Sequence, residues 1–430
     1  MSTYLLTCTP AHGHVMPLLA VTRHLVADGH SVRFLTGSRY AERVRAAGAV
    51  FLPLPAEADI DLDDADAAFP DRRGLTGPAA LRYDIVNLFL RPGRAQYDAL
   101  TRALAEVPTA AVLTEQLFIG AGLLAELPRD TRPPVVVLGI FPLGVASADT
   151  APFGLGVAPL GGIAGRVRNA VLTFVAEKIV FGPVAKEAAA VYREVVGVSP
   201  RRFVLDWASG ADALVQFTVP EFEYPRSDLP EMVSFVGPLP SPAGGGDLPE
   251  WWGELDGQRP IVHVTQGTVA NADVTQLFIP AMRGLAASDA LVVVSTGGRP
   301  IDVLGELPGN VRAAEYLPYD RLLPLVDVMV TNGGYGGVQQ ALSHGIPLVV
   351  AGQTEDKIEV SARIGWSGAG VNLKTSTPTA DAVAAAVDRV LGDPSFRANA
   401  QRIGGAIAAA PGLAGLDSVL ANLGAAEVLR

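Results

Sequence analysis

A single cysteine, Cys8, in 430 residues excludes an intrachain disulfide and a thiolate metal cluster. That usage fits a reducing compartment, and the cytoplasm is the expected location. Charged residues make up only 18% of the chain and the formal net charge is −11. Such a balance offers no basic stripe to a nucleic acid, so an anionic small molecule has to be held by local dipoles. No run of 18 apolar residues escapes interruption by Pro, Gly or polar groups. The uncharged stretch Pro133 to Ala148 is too short and too rich in Pro and Gly to span a bilayer. The first ten residues, MSTYLLTCTP, lack a basic region and a small-residue cleavage site, and read as a buried strand. Asp61, Asp63 and Asp64 sit in an acidic stretch remote from every glycine-rich turn. No metal site is therefore expected.

What is present is apolar residue, 49% of the total, in enough length for two domains. Short apolar runs alternate with segments of helical spacing. Tyr4–Thr9, Ser31–Thr36, Val50–Pro53, Ala110–Thr114, Pro134–Gly139 and Ala213–Thr218 are expected strands, with Pro17 opening the first helix. This alternation predicts an α/β fold with a parallel doubly wound sheet. A second series runs through Ile261–Thr265, Leu291–Ser295, Val311–Glu315, Asp327–Val330 and Pro347–Ala351. Between the two lies a Pro- and Gly-rich stretch, GPLPSPAGGGDLPEWW. The expected layout is therefore a first domain over 1–236, a linker over 237–255, a second domain over 256–408 and a terminal helical segment over 409–430. Asp59–Asp71 reads as a surface loop. The loop from Ser147 to Gly165 leads into an apolar, mainly helical stretch from Val167 to Val196, which reads either as core packing or as the wall of an apolar pocket.

Two segments carry chemistry. In the second half, a strand runs into Asn332-Gly333-Gly334-Tyr335-Gly336-Gly337, with a helix expected from about Val338. Glycines there let backbone approach a ligand closely, and a helix start offers unpaired N–H groups and a positive dipole end, which suits a diphosphate. Another strand leads to Gln353-Thr354-Glu355-Asp356-Lys357, an acceptor and a donor for sugar hydroxyls. Gln266-Gly267-Thr268 follows the first strand of the same half, and Tyr316 offers a flat ring to a base. In the first half, the first strand leads into Pro10-Ala11-His12-Gly13-His14-Val15-Met16-Pro17. A general base working near neutral pH is most simply a histidine.

The order of these motifs resembles glycosyltransferase family 1, which includes plant and bacterial natural-product enzymes. The resemblance covers nearly the whole chain. It implies the GT-B fold: two Rossmann-like domains facing a cleft, with a C-terminal helix crossing back to the first. It implies a donor site in which Tyr316 stacks on uracil or thymine and Leu317 meets the base through its backbone. Gln340 takes a ribose-binding position, Thr268, Gly334, Gly336 and Gly337 line the diphosphate, and Asp356 with Lys357 meets the sugar. The match of HGHVMP assigns the base to His12 and a supporting role to His14. Glu115, in the stretch Ala111 to Phe118, takes the place of an orienting Asp. Departures from the family pattern are Asn332 for a His, Gly337 for Ser or Thr, Lys357 for Gln, and Tyr316 for Trp.

These features imply a metal-independent, inverting hexosyltransferase with no cofactor beyond its co-substrate, UDP-glucose or another nucleotide sugar. The acceptor implied by the apolar first domain is a polyketide, macrolide, ansamycin or phenolic aglycone. Three other functions share the architecture: transfer of a deoxysugar from a dTDP donor, nucleotide-sugar 2-epimerisation, and non-catalytic activation of another transferase.

Overall fold

A computed structural model describes residues 1–62, 68–240, 247–268 and 271–428. Asp63 and Asp64 of the acidic loop and residues 241–246 of the linker lie outside these. The first sheet contains β1 (Thr3–Thr7), β2 (Ser31–Thr36), β3 (Val50–Pro53), β4 (Ala111–Thr114), β5 (Val135–Gly139), β6 (Ala213–Gln216) and β7 (Val233–Phe235). Their spatial order is 3-2-1-4-5-6-7 and every pairing is parallel. The second contains β8 (Ile261–Thr265), β9 (Leu291–Ser295), β10 (Val311–Ala314), β11 (Val328–Thr331), β12 (Leu348–Val350) and β13 (Gly370–Asn372). It runs 10-9-8-11-12-13, again all parallel. This is the expected pair of doubly wound sheets.

Strands covered on both faces have to be apolar throughout, and alternate residues feed different cores. In β1, Leu5 enters one core with Val112 and Val135, while Tyr4 and Leu6 enter the other with Leu113 and Val136. Each fully buried aliphatic side chain contributes about 1.5–3 kcal/mol. The second sheet repeats the arrangement: Ile261 and Leu291 face one side, Val262 and Val292 the other. The helix Leu413–Val428 places Leu416 and Leu420 in the core beside Tyr4 and Leu6, so the first domain is completed from beyond the second. His24 of the first helix bonds Asp417 at 2.9 Å there. No single helix among the described residues is long and apolar enough to cross a membrane.

Three expectations need correction. The first helix spans His12–Ala27, so Pro17 lies inside it rather than opening it. Proline's fixed φ suits a helix, but as the sixth helical residue Pro17 forgoes the backbone bond to the Gly13 carbonyl and crowds it. The helix after β11 starts at Tyr335, not near Val338, which puts Gly336 and Gly337 inside its first turn. Finally, the apolar stretch divides: helix Gly182–Val196 packs Val184, Ala188 and Tyr192 into the core, whereas helix Gly162–Phe174 is not core. Ile163, Val167, Val171 and Phe174 are exposed, and its buried residues are Gly165 and Asn169. A polar anchor explains the orientation: the Asn169 amide donates to the Ala148 carbonyl at 3.0 Å. The edge strands β7 and β13 have only three residues each, too few for a period-2 pattern to register.

Candidate active site

In each sheet the strand order reverses direction beside the first strand, between β1 and β4 and between β8 and β11. Connections leave in opposite directions at such a point, opening a crevice at the strands' carboxyl ends. Both chemistry-bearing segments lie there. His12 to His14 follow β1 and Glu115 ends β4; Gln266 follows β8 and Asn332 follows β11.

Across the first crevice, Glu115 is fully buried. Its Oε1 accepts the Thr9 amide at 3.0 Å, its Oε2 accepts the Leu117 amide at 2.6 Å, and Oε2 lies 3.2 Å from His14 Nδ1. That last contact is an ion-pair approach rather than a well-aligned hydrogen bond, since His14 Nδ1 makes no bond of good geometry. The carboxylate thus lies against His14, the second histidine of the turn.

Burial, the largest influence on His14, disfavours its charged ring. The Glu115 charge and contact, with the charges of Asp356 and Glu355, outweigh it, and the pKa is raised. Glu115 shows the converse. Burial would raise its pKa, but the His14 charge and the Thr9 and Leu117 bonds hold it below the ordinary value. The two halves of the site face one another: the Gln339 amide donates to the Thr218 hydroxyl at 2.6 Å, and the Gly154 and Gly156 amides donate to Glu359.

Across the second crevice, the Asn332 amide donates to the Gln266 carbonyl at 2.6 Å, joining the turn after β11 to the turn after β8. An amide expected to serve a phosphate thus spends one N–H within the protein. Gly333 has φ +84°, and the following helix Tyr335–Ser343 has Gly334 as N-cap with no side-chain cap. A Cβ at Gly336 would meet nothing within 4 Å, and at Gly337 only Met329 Cε at 3.9 Å. The helix start is therefore open to a ligand. Thr268 is exposed beside it and Gln340 is half-buried on the same helix. The Tyr316 ring is 67% exposed at the rim, while its neighbour Leu317 is buried in the core. Lys357 is buried, and its ammonium pairs with Glu355, a residue held at φ +54°. The Asp356 pKa is raised, by burial first, against the lowering effect of Lys357.

Several residues at the site escaped the sequence reading. Gly298, φ +91°, packs so closely on Tyr316 that a Cβ would sit 2.2 Å from the phenol oxygen. The Gly297-Gly298 pair after β9 was the available signal. The Phe141 ring lies tilted 6.2 Å from His14, and Phe153 lies 6.0 Å from Phe141. Glu359 and Arg363, four residues apart in an otherwise apolar helix, signalled a buried ion pair. The Arg363 guanidinium bonds Glu359 and Glu223, each at 2.8 Å.

Two facing doubly wound domains, a histidine–carboxylate pair on one and an open glycine-lined helix start on the other, define a GT-B glycosyltransferase. Comparison with known proteins gives the narrower answer. Residues 280–422 match the family model described as the erythromycin biosynthesis protein CIII-like C-terminal domain. The chain is 42% identical over 408 residues to 4'-demethylrebeccamycin synthase of Lentzea aerocolonigenes, covering 93% of this chain and 94% of that one. It is 34% identical over 423 residues to UDP-glucosyltransferase 1 of Beauveria bassiana, covering 92% and 89%. The crystal structure of CalG4, the calicheamicin glycosyltransferase, superposes with a TM-score of 0.72 at 22% identity over 99% and 98% of the two chains. The chain belongs to the natural-product glycosyltransferases of family 1. Epimerisation and non-catalytic activation are thereby set aside.

Proposed function

We propose that this transferase moves glucose from UDP-glucose to a hydroxyl of an apolar small molecule, by a single inverting displacement that needs no metal. The observation that carries the proposal is the half-buried His14 ring 3.2 Å from the fully buried Glu115 carboxylate, at the carboxyl end of the first sheet. With Nδ1 held by Glu115, Nε2 is the nitrogen that takes the acceptor's proton. Glu115 keeps the ring in that tautomer and steadies the imidazolium that forms. The acceptor oxygen then attacks the anomeric carbon as its bond to the diphosphate breaks, and one displacement inverts that carbon. The departing charge falls on the N–H groups at the start of helix Tyr335–Ser343, where dipole and backbone donors replace a cation. Tyr316 stacks on the base, Gln340 bonds the ribose, and Asp356 receives hexose hydroxyls. On this contact we take His14 as the base and His12 as the supporting histidine, the reverse of the order that the family resemblance implies.

The choice of glucose rests on the relatives named as UDP-glucosyltransferases. Incubation with UDP-glucose and dTDP-linked deoxysugars against a panel of apolar aglycones tests it, with product anomeric configuration read by NMR. A β-glucoside from UDP-glucose is expected. Turnover confined to dTDP-deoxysugars would overturn the donor, and an α-linked product would overturn the inversion.

A further inference from the structure

The loop after β5 crosses from the first domain to the second and is tied there by one carboxylate. Glu359 Oε1 accepts the amides of Gly154 and Gly156 at 2.8 and 2.9 Å. Its Oε2 accepts from Arg363 at 2.8 Å. Arg363 is itself fully buried: it bonds Glu223 and the Leu143 carbonyl and lies 4.3 Å over the Tyr224 ring. Glu223 closes the circuit by accepting the Leu143 amide at 2.9 Å. Both loop glycines have positive φ, +94° and +59°, so the backbone is shaped to turn its N–H groups onto that oxygen.

Two consequences meet at this carboxylate. Phe153, the residue before Gly154, continues the ring series from His14 through Phe141 toward the cleft mouth. Glu359 sits in the first turn of the helix Lys357–Ser367, whose head carries Asp356 and Lys357. We propose that Glu359 is a positioning residue that fixes the Phe153 loop at a set distance from the sugar-side residues, and so selects which acceptors fit beside His14. The inference rests on the acceptor cleft proposed above.

The test compares Glu359→Ala, Glu359→Gln, Phe153→Ala and the Glu359→Ala/Phe153→Ala double variant, with UDP-glucose as donor and 4-methylumbelliferone and quercetin as acceptor probes. Glu359→Ala and Phe153→Ala should each raise acceptor KM about tenfold, with kcat and UDP affinity changed less than about twofold. The double variant should be no worse than the poorer single one, because both act through one contact. Glu359→Gln keeps an oxygen for the two amides but loses the charge facing Arg363. It should lower the thermal midpoint while holding acceptor KM within about threefold of wild type, a split that a purely structural role does not produce. Equal losses in acceptor KM and UDP affinity, or full additivity in the double variant, would overturn the proposal. If the wild type glucosylates neither probe, the acceptor reading fails on its own. The tie is then read by amide hydrogen exchange over residues 150–158, which must rise in Glu359→Ala and stay unchanged in Phe153→Ala; no rise overturns it.

Discussion

His14 and His263 are the contrasting histidines of the two domains. His263 lies within β8, fully buried, with Nδ1 on the Val293 carbonyl and Nε2 on the Tyr319 hydroxyl, each at 2.9 Å. Burial dominates and lowers its pKa to about 4, so it is a neutral core residue. His14 is half-buried, and its pKa moves the other way, because a carboxylate stands 3.2 Å away. Each follows the same rule of desolvation against neighbouring charge. One carboxylate at the end of β4 separates a base from a structural ring.

The sharpest way to break the comparison is His14→Ala, which should reduce turnover by roughly 10²–10⁴-fold with UDP affinity retained. His12→Ala should fall well short of that loss; the reverse ranking, measured on the same acceptor, would return the base to His12. Next in size is Glu115→Gln, expected to slow turnover by about 10²-fold. It should also move the acid limb of the pH–rate profile downward. A raised pKa places that limb above the ordinary histidine value of about 6.5, and without the Glu115 charge only the weaker effects of Asp356 and Glu355 oppose burial. An acid limb that stays in place would show that Glu115 does not set the base.

The stability effects carry opposite signs. His263 has a depressed folded pKa, so its contribution is present above the unfolded value near 6.5 and is lost as pH falls toward about 4. The full span is about 3 kcal/mol. Urea unfolding of wild type and His263→Gln at pH 7 and pH 5 should show the wild type losing more on acidification. His14, with a raised folded pKa, contributes below about pH 6.5 and loses that contribution as pH rises through its folded value. Acid therefore silences His14 as a base without destabilising its site. The smallest expected effect is that of EDTA: turnover should match that with Mg²⁺, and a loss restored by a divalent ion would contradict the dipole-based account of the leaving group.

Much of this arrangement was legible before any coordinates. β2, β3, β8 and β9 fall on their expected residues, because short, largely apolar runs bounded by Gly, Pro or polar residues mark strands even where Arg33 or His263 interrupts them. The donor turn was legible from glycines between a strand and a helix. The contact of His14 with Glu115 was not, because it depends on where the first helix begins, and Pro17 suggested a start five residues too late. Likewise hidden was the outward face of helix Gly162–Phe174, since its hydrophobicity says nothing of an Asn169 anchor. Glu359 was invisible as a tie because its partners are backbone amides some two hundred residues earlier in the sequence.

The helix Leu413–Val428 gives the molecule a timetable. Leu416 and Leu420 fill the same core as Leu6 and Leu113, yet a ribosome makes them only after the whole second domain. At roughly 5–20 residues per second, the first domain waits on the order of ten seconds or more, after β7 emerges, for the side chains that close its core. Nascent chains stalled before residue 413 should therefore expose the first domain to protease while the second resists, and chains extended past 428 should protect both. Equal protection in the two stalled lengths would mean that the first domain closes without its late-arriving helix.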